Sequence, residues 1–319
     1  MHARCGVKES ATNLVVLVLG LLLLVPAGAA PAADDGWQAP EGWRSGFVTA
    51  ADGARIHYFE AGPADAAGPA LLFVPGWTLP GQIWQPQIEH FAASRRVVAM
   101  DPRSQGRSDR PDDGHYPEAR GRDVKAVIDG LGLAPAVPVC WSLAVAECVA
   151  LVDQFGTGDL AALVLVDGLA GGEYDPGFHP MVLAWVGNLQ RARETGTASF
   201  IRSMYRTPQD EAYLRQVTAW SLETPTDAMA ALMIGGLTND NRDALAKIDV
   251  PTLMTVTRSP YLPAYEEMRD RIDGVRFEVF DAGHALFVDQ PERFNRLLEE
   301  LLAGRPAPDP EPAAAEDGG

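Results

Sequence analysis

Two side chains in this sequence are equipped for chemistry by what surrounds them. Ser142 is the centre of Cys140-Trp141-Ser142-Leu143-Ala144, between a short apolar run at Ala136–Cys140 and a helical stretch at Ser142–Phe155. A serine at a sharp strand-to-helix turn presents its hydroxyl above a sheet as a nucleophile. His284 ends Phe280-Asp281-Ala282-Gly283-His284, a glycine-containing loop that follows an expected strand at Arg276–Phe280. A serine hydroxyl attacks poorly until a neighbouring base takes its proton. Histidine is the usual base, because its pKa lies near working pH. The chemistry implied is acyl transfer, with Ser142 as nucleophile and His284 as base and then acid.

Each reading has a plain structural alternative. The strained turn needs small residues two positions either side of the serine, and Cys140 and Ala144 are small without being glycine. Ser142 could instead be a helix N-cap, a common role for serine. His57, His90, His115 and His179 lack the strand–Gly–His order and are read as structural. A tetrahedral oxyanion needs two N–H donors. One is expected from Leu143, the residue after the nucleophile. The other is expected from Trp77, in Val74-Pro75-Gly76-Trp77 after a buried strand, where Gly76 permits close backbone approach. An ordinary Pro-Gly turn is the alternative there.

Positioning these groups requires a sheet. Arg55–Ala61 reads as a strand, and Ala70–Pro75, Arg96–Asp101, Ala136–Cys140 and Leu160–Asp167 are apolar runs bounded by turn residues. Such runs suit strands covered on both faces of a parallel sheet. Helical patterns at Ile83–Ala92, Pro117–Leu131 and Ser142–Phe155 alternate with them, which predicts a doubly wound α/β fold. Residues 168–247 contain no convincing strand but carry Met181, Trp185, Phe200, Met204, Tyr205, Tyr213, Trp220, Met229 and Met233. This segment reads as a helical cap. Most of its large residues should fill its own core and a few should line a pocket beneath it. The alternation resumes with strands at Thr252–Thr257 and Arg276–Phe280 and helices at Tyr261–Ile272 and Pro291–Leu302. No internal repeat is evident.

Phe73–Trp84, the run Asp101-Pro102-Arg103-Ser104-Gln105-Gly106-Arg107-Ser108, the Cys140–Ala144 turn and Ala282-Gly283-His284 together resemble the α/β-hydrolase superfamily. The closest resemblance is to its esterase and cofactor-free haloperoxidase-like branch. The resemblance runs over roughly residues 45 to 303 in family order. It implies a mostly parallel doubly wound sheet with a helical cap inserted after the sixth strand, and a small-molecule ester as substrate. Three departures stand out. Pro75-Gly76 replaces the frequent His-Gly, and Ser104 replaces a usual Gly. No carboxylate stands in Thr257-Arg258-Ser259-Pro260-Tyr261, where many members carry the acid after the seventh strand. Some relatives carry it after the sixth strand, where Asp167 stands, and Ser142, Asp167, His284 keeps the superfamily order. Asp167 is therefore the expected orienting acid, with Glu173, Asp175 and Asp281 in reserve and a Ser–His dyad as the alternative. Asp101, Arg103, Arg107 and Ser108 are expected to brace a loop, and Asp123 to belong to the next helix. Trp77, Trp84 and Trp141 are candidate pocket residues, with burial of Trp141 under the turn as the alternative. Peroxide in place of water as acyl acceptor would make the same site a perhydrolase. A catalytically weak binding protein of the same shape is a third reading. A haloalkane dehalogenase does not fit, since its nucleophile is a carboxylate.

Composition bounds the rest. A chain of 319 residues, 47% apolar, is enough for one large α/β domain or two small ones, with a full core. With 43 acidic against 26 basic residues, the net charge of −17 disfavours nucleic acid and anionic membrane surfaces as partners. Residues 1–33 read as a secretory signal, with Arg4 and Lys8 before the apolar run Leu14–Val25 and small residues after it. Export to periplasm or medium is expected, with an uncleaved anchor as the alternative. The hydrolase core is expected at 34–168 and 248–304, the cap at 169–247, and a disordered Pro-, Ala- and acid-rich tail at 305–319. Of the three cysteines, Cys140 and Cys148 are expected to be small buried residues out of bridging reach. No metal or other cofactor is indicated, and oligomeric state is open.

Overall fold

The computed structural model describes residues 37–171 and 178–304. The expected signal segment and tail, and the reserve acids Glu173 and Asp175, lie outside the described residues. Eight strands form one sheet in the order β1-β2-β4-β3-β5-β6-β7-β8. They are β1 (Arg44–Thr49), β2 (Arg55–Ala61), β3 (Leu71–Val74), β4 (Val97–Met100), β5 (Val137–Trp141), β6 (Leu163–Val166), β7 (Thr252–Thr257) and β8 (Arg276–Phe280). β2 runs antiparallel to β1 and β4, and all other pairings are parallel. β3 to β6 are buried along their whole length, as expected of short apolar runs covered on both faces. β1 was not expected from the sequence. It is an edge strand, mostly exposed, so it lacks the apolar run that marks the others.

Helices cover both faces. α1 (Gln85–Ala92), α9 (Leu286–Asp289) and α10 (Pro291–Leu302) pack on one side, through Ile88, Phe91, Phe287, Phe294 and Leu298. α2 (Pro117–Gly130), α3 (Ala144–Phe155) and α8 (Leu262–Arg269) pack on the other, through Val124, Val127, Val149 and Met268. Between β6 and β7 the chain forms α4 (Phe178–Arg191), α5 (Arg193–Ser203), α6 (Glu211–Leu222) and α7 (Thr226–Thr238). The doubly wound sheet and the helical insertion after β6 are thus both present. Among the described residues no helix is long and apolar enough to cross a membrane.

The cysteine expectation was wrong. Cys140 and Cys148 form a disulfide, with Cα atoms 6.5 Å apart. The physical reason is the strand–turn–helix geometry. After the turn, α3 folds back over the face of the sheet to which Cys140 points, and both cysteines sit in the same buried cluster. The bridge closes a short loop across the Ser142 turn. Breaking it with Cys148→Ser should lower unfolding stability by about 2–3 kcal/mol. Denaturation curves of the two proteins under non-reducing conditions test this; coincident curves would count against any contribution of the bridge.

Candidate active site

The three expected catalytic residues come from three separate strand ends. Ser142 follows β5, Asp167 follows β6, and His284 lies on the loop after β8. Parallel strands place their C-terminal ends along one edge of the sheet, which is why residues so distant in sequence converge. Ser142 Oγ lies 2.8 Å from His284 Nε2, and His284 Nδ1 lies 2.7 Å from Asp167 Oδ2. The other carboxylate oxygen of Asp167 accepts from the backbone N–H and the hydroxyl of Thr257 at 2.7 and 2.8 Å. Asp167 is 3% exposed, so every hydrogen bond to it is shielded from water. Trp141 Nε1 donates to the carbonyl of His284 at 3.0 Å and ties the histidine loop to the strand that carries the serine.

The backbone is strained where the chemistry needs it. Four described non-glycine residues have positive φ: Thr78, Ser104, Ser142 (60°) and Asp167 (42°). Each such conformation costs on the order of 1–3 kcal/mol and persists only when the surroundings enforce it. Ser142 is held by its N–H donating to Val166 at 2.8 Å, and Asp167 by its N–H donating to Thr255 at 2.8 Å. The left-handed turn at Ser142 also explains why α3 begins at Ala144 rather than at Ser142 itself. Gly168 is required here, because a Cβ on it would lie 2.1 Å from the carbonyl oxygen of Ser142.

The loop after β3 approaches from the other side. A Cβ on Gly76 would meet Ser142 Cβ at 2.7 Å and the carbonyl of Trp141 at 3.0 Å. Only glycine lets this backbone lie against the serine. Among the described residues, neither the Trp77 N–H nor the Leu143 N–H is used by a backbone carbonyl. Gly76→Ala should push the loop away and lower kcat by about 10- to 1,000-fold, the scale of losing an oxyanion donor. Steady-state kinetics beside a thermal melt would test it, and an active, normally folded variant would exclude a close-approach role.

A cavity of about 440 Å³ opens at Ser142 and His284. Trp77, Leu143, Phe200, Met204, Met233 and Tyr261 give it a largely apolar wall. Trp77 is anchored in the cap, with Nε1 donating to the Met229 carbonyl at 2.8 Å and its ring packed on Trp185 and Phe200. Two expected pocket residues do not line this cavity. Trp84 is fully buried beneath the sheet and stacks on Phe287 at 3.8 Å between centroids. Trp141 lies under the turn with its edge on the same Phe287. The side-chain alternation of β5 decides the second case: Cys140 points to the α3 face and Trp141 to the opposite one.

Other candidates fall elsewhere. Asp281 is exposed and pairs with Arg206. His57 is buried between Asp101 and Ser45, His90 pairs with Glu299, and His115 bonds Ser104 Oγ. The side chain of His179 is outside the described set. Arg103 grips Asp123 with two hydrogen bonds of 2.6 Å, and Asp101 accepts from the N–H groups of Gly81 and Arg107. These residues brace the loop after β4. Burial pushes the Asp123 carboxyl above the usual range, against the pull of Arg103. Thr257, which holds Asp167, was not expected as a site residue from the sequence. Among the described residues, no group of three or more His, Cys, Asp or Glu side chains is disposed to hold a metal.

Comparison with known proteins identifies the family. A model of the alpha/beta hydrolase family matches residues 71–297. A bifunctional esterase/perhydrolase from Acinetobacter calcoaceticus is 38% identical over 122 residues, which is 38% of this chain and 44% of that protein. A non-heme chloroperoxidase from Streptomyces lividans is 37% identical over a stretch of the same length, again 44% of its own chain. These alignments span less than half of either relative. An esterase from Exiguobacterium antarcticum superposes with a TM-score of 0.75 at 23% identity, covering 81% of this chain and 98% of that one.

Proposed function

This chain belongs to the alpha/beta hydrolase family, and we propose that within it this is an esterase-like serine hydrolase of small carboxylic esters. The observation that carries the reading is the continuous hydrogen-bonded line from Asp167 through His284 to Ser142 at the wall of an apolar cavity. In this mechanism His284 Nε2 takes the Ser142 proton as Oγ attacks the ester carbonyl. The N–H groups of Trp77 and Leu143 receive the developing oxyanion. His284 then gives that proton to the departing alkoxide, and the acyl group stays on Ser142. Water, deprotonated by the same nitrogen, attacks the acyl-enzyme, and His284 returns that proton to Ser142 Oγ as the C–Oγ bond breaks and the carboxylic acid leaves. Asp167 holds the imidazole in the Nδ1–H tautomer and stabilises the imidazolium. The cavity suits modest acyl and alcohol groups.

The test is hydrolysis of a short-chain p-nitrophenyl ester series by the folded protein. Turnover is expected. Its absence across the series would leave a ligand-binding protein of hydrolase shape as the better reading.

A second reading is favoured by the esterase/perhydrolase similarity. Hydrogen peroxide attacking the acyl-enzyme would release a peracid and regenerate Ser142. Peroxide-dependent halogenation of a dye in the presence of a carboxylic ester or acid separates the two; none above background would leave water as the acceptor. We also propose export. The Arg4/Lys8-to-Leu14–Val25 pattern supports it, and so does a buried disulfide, which persists best in an oxidising compartment. N-terminal sequencing of protein recovered outside the cytoplasm should find a start near residue 34; an intact Met1 in the cytoplasmic fraction would refute it.

A further inference from the structure

We infer that Gln105 is a positioning residue that aims the Trp77 N–H at the oxyanion, by holding the other end of the same peptide plane. The inference rests on the hydrolase reading above. Gln105 is fully buried on the loop after β4 and does not line the cavity. Its Nε2 donates twice, to the carbonyl of Gly76 at 2.9 Å and to that of Leu79 at 2.6 Å. Its Oε1 accepts from Arg120 Nη1 at 3.0 Å. Arg120 is buried on α2, with Nε 2.7 Å from Glu147 Oε1 on α3, the helix that starts after the nucleophile.

The Gly76 carbonyl and the Trp77 N–H belong to one peptide group. That group is planar and trans, so the two bonds point in opposite directions. A partner that fixes the carbonyl on one side therefore fixes the N–H on the other. The Gly76 carbonyl also accepts from the Leu79 N–H, at a long 3.4 Å. The amide of Gln105 cannot turn over to satisfy the same neighbours. Reversed, it would set its oxygen against two carbonyl oxygens and its NH2 against a guanidinium. The orientation is thus set from outside, by Arg120, and passed through one side chain to the oxyanion donor. Preorganised donors are what make an oxyanion site effective, because they need no rearrangement as charge develops.

Two variants separate positioning from packing. Gln105→Met keeps the length and loses both donors. Gln105→Glu keeps an oxygen for Arg120 and loses the donors to the two carbonyls. In both, kcat on a short-chain p-nitrophenyl ester should fall about 10- to 100-fold with KM within about twofold, somewhat less than deletion of a donor. Affinity for an alkyl boronic acid, which forms a tetrahedral adduct on Ser142, should fall by the same factor as kcat/KM. A packing role would instead lower the melting temperature and raise KM, leaving boronate affinity in step with substrate affinity. Unchanged kcat and boronate affinity in both variants would overturn the inference while leaving the esterase reading intact. Loss of the fold in both would assign Gln105 a structural role and overturn it equally. An unmutated protein that neither turns over esters nor binds the boronate would remove the hydrolase reading and this inference with it.

Discussion

Ser142→Ala is expected to cut ester turnover by about 10,000- to 1,000,000-fold while leaving the melting temperature near that of the unmutated protein. The size of the effect follows from the geometry. Oγ is the only atom removed, and it is the atom that forms the covalent intermediate. Alanine keeps the Cβ and so meets the same positive-φ strain as serine, held by the same Val166 hydrogen bond. Removing His284 in the same protein should cost little more. Residues that act as one unit fail together, and their single effects do not add. The double variant is therefore the sharper measurement. If Ser142→Ala keeps more than a few per cent of kcat after active-site titration, Ser142 is not the nucleophile. The residual rate, if well above that of buffer, would report what the Trp77 and Leu143 donors and the cavity contribute alone.

The parts of this molecule that were legible in the sequence share one physical property. They are short strand-forming runs bounded by turn residues: β3 to β6 are buried along their whole length, and β7 and β8 have the bounds their residue patterns suggested. A nucleophile at a strand–helix turn and a histidine after a Gly-bearing loop are also local signals. What was not legible depends on exposure and on how the elements are arranged in space. β1 is an exposed edge, so its pattern is faint. The Cys140–Cys148 bridge needs the helix to fold back over its own strand, which spacing alone does not reveal. Trp84 is expected from the sequence to give the substrate apolar surroundings. The short 3₁₀ turn at Gly81–Trp84 instead sends it into the core. Gln105 reads as an ordinary loop residue until the loops after β3 and β4 are seen side by side.

The acid is where sequence and structure bear most directly on each other, and Asp167→Asn is the second large effect expected. The end of β7, where the carboxylate of many relatives is expected, carries Thr257 here. Thr257 gives both of its donors, N–H and hydroxyl, to one oxygen of Asp167. The adjacent strand thus supplies hydrogen bonds to the carboxylate that follows β6. An asparagine in this place would keep its oxygen on those two donors, since its NH2 could not accept the Thr257 N–H. Its NH2 would then face His284 Nδ1 and hold the imidazole with the proton on Nε2. That tautomer cannot take the Ser142 proton. A fall in kcat of about 1,000- to 10,000-fold is expected, with KM little changed. The reserve acid Asp281 is engaged with Arg206 at the surface and is not placed to compensate. Retention of kcat within about tenfold would mean that His284 works as a dyad with Ser142 or takes its orientation from elsewhere. Thr257→Val then discriminates further. It removes only the hydroxyl donor, so under the triad account it should lower kcat by a small fraction of the Asp167→Asn effect, and under the dyad account by nothing.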